Sequence, residues 1–269
     1  MPSMRDLDKT PRRALHIFYV LDTSGSMTGT PITTLNDAMA STVNQIKQLA
    51  ETNADAIVKI AVLEFNSGCR WIQPKGPEEL DDFYWQPLEA GGMTDMGAAL
   101  KELDSKLSQD AFLNSMTGAY LPVIIFMTDG YENVNANEYE RALERIRRNK
   151  WFDRGTKIGF ALGEEADVGM ISEIVGSRAV IQTMDLELFA QQIKFVSVTA
   201  TMLCSTSHTS DDAVDGGVIV DQMKEAFDIW PEDPPVPDTE DGGDASDRQD
   251  APGQQETPPD PFEWEPSME

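Results

Sequence analysis

Apolar runs and amphipathic stretches alternate along residues 14–205. ALHIFYVLD (14–22) is a short run rich in β-branched and aromatic residues, and it reads as a buried strand. PITTLNDAMASTVNQIKQLAE (31–51) follows. Its Ile32, Leu35, Met39, Val43, Ile46 and Leu49 recur at helical spacing, and Pro31 suits a first helical turn. IVKIAVLEF (57–65) predicts a second strand. CRWIQP (69–74) and FYWQPL (83–88) predict shorter strand pieces at an edge or hairpin, because Pro74 and Pro87 argue against a central position. GGMTD predicts a turn, followed by a helix from about Thr94. LPVIIFMTDG (121–130) is the clearest buried strand. Beyond it the pattern predicts a helix in NEYERALERIRRN, a strand in TKIGFALG (156–163), a short helix in ADVGMISEIVGS, a last strand in AVIQTM (179–184) and a closing helix in DLELFAQQIKFVSVTATML.

Apolar strands separated by helices predict an α/β fold: a doubly wound, mainly parallel sheet flanked by helices. Ligands of such sheets bind beyond the carboxyl ends of the strands. Asp22 and Asp129 each end a predicted strand, and Thr94 opens a helix that follows one. Topology alone therefore brings these three residues to one rim.

Composition divides the chain further. Residues 1–12 read as an N-terminal leader, 13–207 as the folded domain and 208–269 as an acidic, Pro-rich tail. Of the formal charge of −26, −17 lies beyond residue 208, where 19 acidic residues face only Lys224 and Arg248. Such a segment buries too little apolar area to offset its ordering entropy, so disorder is expected there. A short helix at 217–230 is the exception, with Ile219, Met223, Phe227 and Trp230 on one face. The charge argues against nucleic acid and against an anionic membrane surface, and points to metal ions or basic patches as partners. Two distant cysteines, Cys69 and Cys204, form no disulfide framework and fit a reducing compartment. The run after Arg12 and Arg13 is too short for a spanning helix and lacks a small-x-small cleavage pattern. A cytoplasmic location is expected.

DTSGSM (22–27) carries the chemistry. Asp-x-Ser-x-Ser on a loop after a strand turns Asp22, Ser24 and Ser26 toward one point, and Gly25 relieves the crowding of such a turn. A hard cation such as Mg²⁺ takes about six oxygen ligands at roughly 2.0–2.1 Å and keeps some waters. Thr94 and Asp129 supply two further oxygens from the same rim. Together DTSGSM, GGMTDMGAAL and IIFMTDGYEN resemble the three pieces of the metal-ion-dependent adhesion site (MIDAS) of von Willebrand factor A (vWA) domains, and the resemblance covers about residues 10–205. It implies that the residues matching Asp22, Ser24 and Ser26 hold Mg²⁺ or Mn²⁺. Thr94 and Asp129 then complete the protein shell, often through water, and a partner's acidic residue takes the last position. Within the family, DTSGSMTGTPI and the FxTDG strand end most resemble small bacterial tellurium-resistance TerY-like proteins. That resemblance implies a non-enzymatic binding module in a stress-response or defence system with a Ser/Thr kinase and a PP2C-type phosphatase.

Rival readings find less support. A haloacid-dehalogenase-like phosphotransferase also uses an aspartate at the first strand end and Mg²⁺, but needs an acid/base aspartate where Ser24 stands. A vWA partner of a MoxR- or chelatase-type AAA+ ATPase is an alternative that the residues leave open. Asp95 and Glu132 lie beside the site motifs and oppose an acidic partner if they face the metal. Met27, Met93, Met96 and Met127 flank the motifs and read as core gap-fillers. A tail Asp or Glu is a further candidate for the open metal position in cis.

Overall fold

The computed structural model describes residues 12–52, 56–130, 134–205 and 214–227. In chain order the elements are β1 (Arg13–Asp22), α1 (Thr30–Thr52), β2 (Ala56–Phe65), β3 (Cys69–Trp71), β4 (Glu78–Glu79), α2 (Met96–Lys106), β5 (Val123–Thr128), α3 (Ala136–Arg147), α4 (Lys150–Arg154), β6 (Thr156–Leu162), α5 (Val168–Val175), β7 (Val180–Thr183), α6 (Leu186–Ser205) and α7 (Gly216–Ala226). The seven strands form one sheet in the order β3-β2-β1-β5-β6-β7, with β4 also paired to β2. β1, β2, β5, β6 and β7 run parallel; β3 and β4 are antiparallel edge pieces on β2.

β1 and β5 are buried on both faces, which is why their sequences are almost continuously apolar rather than alternating. On one face Phe18, Val20, Leu63 and Phe126 join Leu100 and Leu103 of α2, Leu143 and Ile146 of α3, and Ile171 and Ile174 of α5 in a single core cluster. On the other face α1 and α6 lie side by side. They bury Leu35, Met39, Val43 and Ile46, and Phe189, Ile193, Val196 and Ala200, at helical spacing. Each large side chain withdrawn from water in this way contributes roughly 1.5–3 kcal/mol. Among the described residues no helix is long and apolar enough to cross a membrane.

The winding reverses beside β1. The chain passes from β1 through α1 to β2 on one side, and α2 then carries it across to β5 on the other. Leu21 of β1 is opposite Met127 of β5, so Asp22 and Thr128 end neighbouring strands at the topological switch point.

The predicted strand at 83–88 is absent. The second edge piece is Glu78–Glu79, paired with Ile60 and Lys59. Residues 83–88 are held instead by Asn36 of α1: its Oδ1 accepts hydrogen bonds from Leu88 N (2.8 Å) and Trp85 Nε1 (3.2 Å), and its Nδ2 donates to Leu88 O (3.0 Å). The basic stretch 141–150 is also divided, since Asn149 accepts from Trp151 N at 3.0 Å and so starts α4.

One compact unit extends to Asp221; a second begins at Gln222 and is described only to residue 227. The first turns of α7 belong to the former. Val214 O accepts from Thr156 Oγ1 at 2.7 Å, Arg178 donates to Asp221 at 2.7 Å, and Ile219 and Val220 are buried. Gly216 is required there, because a Cβ would lie 1.9 Å from the carbonyl oxygen of Lys157. The helix spans most of the 217–230 segment expected from the sequence. Trp230 and the remainder of the acidic tail lie outside the described residues, as does the leader up to residue 11.

His16, on β1, is fully buried, and among the described residues neither ring nitrogen has a hydrogen-bond partner. Burial, with a smaller contribution from Lys59, pushes its pKa down to about 4. A histidine that stays neutral when folded contributes stability above its unfolded pKa of about 6.5, and that contribution is lost as pH falls toward the folded value. His16→Leu is therefore expected to gain stability relative to the wild type by on the order of 3 kcal/mol between pH 7 and pH 4.5, as read from paired denaturant titrations. An unchanged difference across that range would contradict this account of His16.

Candidate metal centre

The site is built where β1, β2 and β5 end. Asp22 is fully buried, and both its carboxylate oxygens are held. Oδ1 accepts from Ser24 N at 2.7 Å, and Oδ2 accepts from Thr128 Oγ1 at 2.5 Å. The backbone then turns through a 3-10 segment at Gly25–Met27. Ser24 Oγ and Ser26 Oγ lie 3.0 Å apart, and Ser26 Oγ donates to Asp129 Oδ1 at 2.8 Å.

Three loops are stitched together around this chain of oxygens. Gly25 N donates to Gly92 O (3.0 Å), and Gly91 N donates to Thr23 O (2.8 Å). Gly92 has φ +87°, a conformation glycine adopts without strain. Asp95 N donates to Asn66 O (2.8 Å), Met93 N to Ser67 Oγ (2.9 Å) and Thr23 N to Phe65 O (2.8 Å), so the segment after β2 anchors both other loops. These bonds carry Thr94, which is buried, onto the rim. Gly130 completes the approach. A Cβ there would lie 3.4 Å from Thr94 Oγ1 and 3.8 Å from Ser26 Oγ, so the absent side chain leaves room between the two hydroxyls.

All five residues singled out from the sequence thus meet at one end of the sheet. Four of them, Asp22, Ser24, Ser26 and Asp129, are linked through hydrogen bonds or one shared neighbour, and Thr94 faces the same gap across Gly130. Sequence reasoning missed the supporting residues Thr128, Thr23, Asn66 and Ser67. Their signal was position: each is a polar residue at, or just after, the carboxyl end of a strand on this rim. Asp95 does not oppose the site as an unengaged charge, since its carboxylate caps α2 by accepting from Ala98 N at 2.7 Å. Glu132 lies outside the described residues. Met27, Met96 and Met127 are fully buried core residues, whereas Met93 is about half exposed (49 %) on the rim.

The electrostatics fit a cation. Burial raises the Asp22 pKa to about 6; hydrogen bonds from Thr128 and Ser24 oppose that rise and Asp129 adds to it. Burial likewise raises Asp129 above the usual carboxylate range. Among the described residues no ion pair reaches either carboxylate. Two acidic groups are therefore held at a partly desolvated rim without a counter-charge among the described residues, which is unfavourable unless a cation supplies one. No group of three or more His, Cys, Asp or Glu side chains is gathered among the described residues. A donor set of two carboxylates and three hydroxyls suits a hard, oxygen-seeking ion that retains water.

The sheet order, the two helical layers and the site at the switch point define a vWA fold. No protein-family model matches the sequence, and no curated protein matches it. Solved structures match at the level of the fold. A von Willebrand factor type A protein from Catenulispora acidiphila aligns with a TM-score of 0.50 and 19 % identity over 70 % of this chain and 42 % of its own. Proximal thread matrix protein 1 of the mussel byssus, solved with a zinc-occupied MIDAS motif, aligns at 0.53 and 16 % over 70 % and 48 %. The PilB minor pilin of Streptococcus sanguinis aligns at 0.51 and 13 % over 72 % and 63 %. This chain spans less than two thirds of each of these proteins.

Proposed function

We propose that the chain is a non-enzymatic, cytoplasmic protein-binding module. In this reading Asp22, Ser24, Ser26, Thr94 and Asp129 form a MIDAS-type site for Mg²⁺ or Mn²⁺, and the site captures an acidic residue of a protein partner. The observation that carries the reading is the hydrogen-bonded chain from Asp22 through Ser24 and Ser26 to Asp129, closed by Thr94 across Gly130. When bound, the cation supplies an electrophilic centre for a carboxylate oxygen. The chain's own residues fix the geometry: Thr128 and Ser24 N hold the Asp22 carboxylate in one orientation, and Ser26 holds Asp129. A preorganised donor set loses little entropy on binding, so affinity goes into the contact itself.

The sequence resemblance to TerY-like proteins supports a finer assignment: a stress-response or defence system containing a Ser/Thr kinase and a PP2C-type phosphatase. The test is affinity capture by the full chain from cells of its source. Capture in Mg²⁺ is expected to retain a specific partner that EDTA releases and that Asp22→Ala does not hold. Retention unaffected by EDTA would overturn metal-dependent binding. Identification of partners outside kinase and phosphatase systems would overturn the finer assignment.

A further inference from the structure

A groove of about 320 Å³ lies between α2 and α3, and its lining begins at Gly97, three residues after Thr94. Its floor is made of small residues, Gly97, Ala98 and Ala142. The helices approach so closely that a Cβ on Gly97 would lie 3.0 Å from Tyr139 N. Its walls are mostly cationic. Arg145 is paired with Asp104 at 2.7 Å. Lys101 and Arg141 are exposed, and among the described residues neither is in an ion pair. Among the described residues Glu138 is the one acidic residue lining the groove. In a chain with 47 acidic and 21 basic residues, two cations left without a carboxylate partner beside a site that itself calls for a carboxylate form a distinct electrostatic feature.

We infer that this groove is the second half of the docking surface, and that it takes an acidic segment of the partner carrying two carboxylates, one for the metal and one for Lys101 and Arg141. The inference rests on the metal-dependent reading proposed above. The spacing follows from the helix. Lys101 stands five residues beyond Met96, the first residue of α2, and so roughly 7.5 Å along the helix, and Thr94 precedes Met96 by two non-helical residues of up to ~3.3 Å each. An extended partner segment rises ~3.3 Å per residue and returns its side chains to one face every second residue, so its second carboxylate falls four residues, roughly 13 Å, after the first. The groove cations also offset the repulsion that the rest of this acidic chain presents to an acidic partner, which favours encounter.

Two synthetic peptides test this on the full chain saturated with Mn²⁺. Acetyl-Glu-Ala-Ala-Ala-Glu-amide carries both carboxylates at the inferred spacing; acetyl-Glu-Ala-Ala-Ala-Gln-amide lacks the second. NMR titration is expected to show the first binding about five-fold tighter at low salt, the size of a partly exposed ion pair. The preference should shrink as salt screens it. In the double variant Lys101→Gln, Arg141→Gln the preference should vanish, while calorimetry shows unchanged Mn²⁺ uptake. Equal binding of the two peptides to the wild type, a preference that survives the double variant, or no binding of either peptide despite normal Mn²⁺ uptake would each overturn the groove assignment and leave the metal site standing. Absence of Mn²⁺ uptake by the wild type would overturn both.

Discussion

Asp22→Ala is expected to weaken Mg²⁺ or Mn²⁺ binding by more than about 100-fold. Loss of a group that merely orients a metal ligand typically costs 10–100-fold, and Asp22 is placed as a ligand itself. It is also the fully buried carboxylate around which the site is arranged, its two oxygens fixed by Ser24 N and Thr128 Oγ1. The fold is expected to survive the change. Two hydrogen bonds to the carboxylate are lost, each worth roughly 1–3 kcal/mol if its donor is left unsatisfied. Against that, the variant removes a buried carboxylate that has no ion-pair partner among the described residues. Asp22→Asn keeps the shape and an acceptor, and should lose metal to a similar degree, which separates loss of charge from loss of packing. Thermal unfolding supplies a second readout. At free metal about 100 times the dissociation constant, the wild type should gain about 2.7 kcal/mol and the variants almost nothing. A variant that still binds metal within a few-fold of the wild type would remove Asp22 from the site.

Metal binding is also expected to be acid-labile within an unusual window. A carboxylate with an ordinary pKa near 4 competes with protons only in strong acid. Asp22, held up at about 6 by burial, does so just below neutrality. The proton and the cation want the same oxygens, so apparent affinity should be constant above pH 7. Below about pH 6 it should fall roughly tenfold per pH unit for one competing proton. Asp129, raised in the same direction, steepens the fall further into acid. In metal-free protein the linkage has the opposite consequence for stability. Because the folded pKa lies above the unfolded one, protonation of Asp22 stabilises the apo fold as pH falls through 6, and EDTA-treated protein should not lose stability there on Asp22's account. Calorimetric titrations with Mn²⁺ at pH 7.5, 6.5, 5.5 and 4.5 check the trend. Affinity that stays flat down to pH 4.5 would show that Asp22 is not the buried, proton-competing ligand described here.

The parallel core was readable because its physics leaves a continuous mark. A strand covered on both faces has little polar side to show, and β5 accordingly stands out as a near-continuous apolar run, while β1, β2 and β6 are mostly apolar with isolated polar residues such as His16, Lys59 and Lys157. The site was readable for a related reason: polar side chains directly after such a run lie on the ligand-binding rim once the strands are parallel. The edge was not. FYWQPL carries Phe83 and Leu88, both buried, and looks like a strand by composition. The backbone of Leu88 and the indole of Trp85 are taken by the side chain of Asn36, a contact between residues about 50 apart that no local pattern encodes. The supporting layer of the site escaped for the same reason. Thr128 follows five apolar residues as a plain continuation of the strand, and its hydroxyl matters only because β1 ends beside it. Asp95 stood out in the sequence only as a charge beside the site, and its role as the cap of α2 shows only in its bond to Ala98 N.

Anomalous diffraction from crystals grown with Mn²⁺ tests the central claim most directly. One peak is expected at the carboxyl ends of β1 and β5, within coordination distance of Asp22, Ser24 and Ser26, with Thr94 and Asp129 bound directly or through a single water. A map with no peak there, or a manganese ion seated elsewhere with Thr94 and Asp129 turned away from the Asp22 turn, would contradict it.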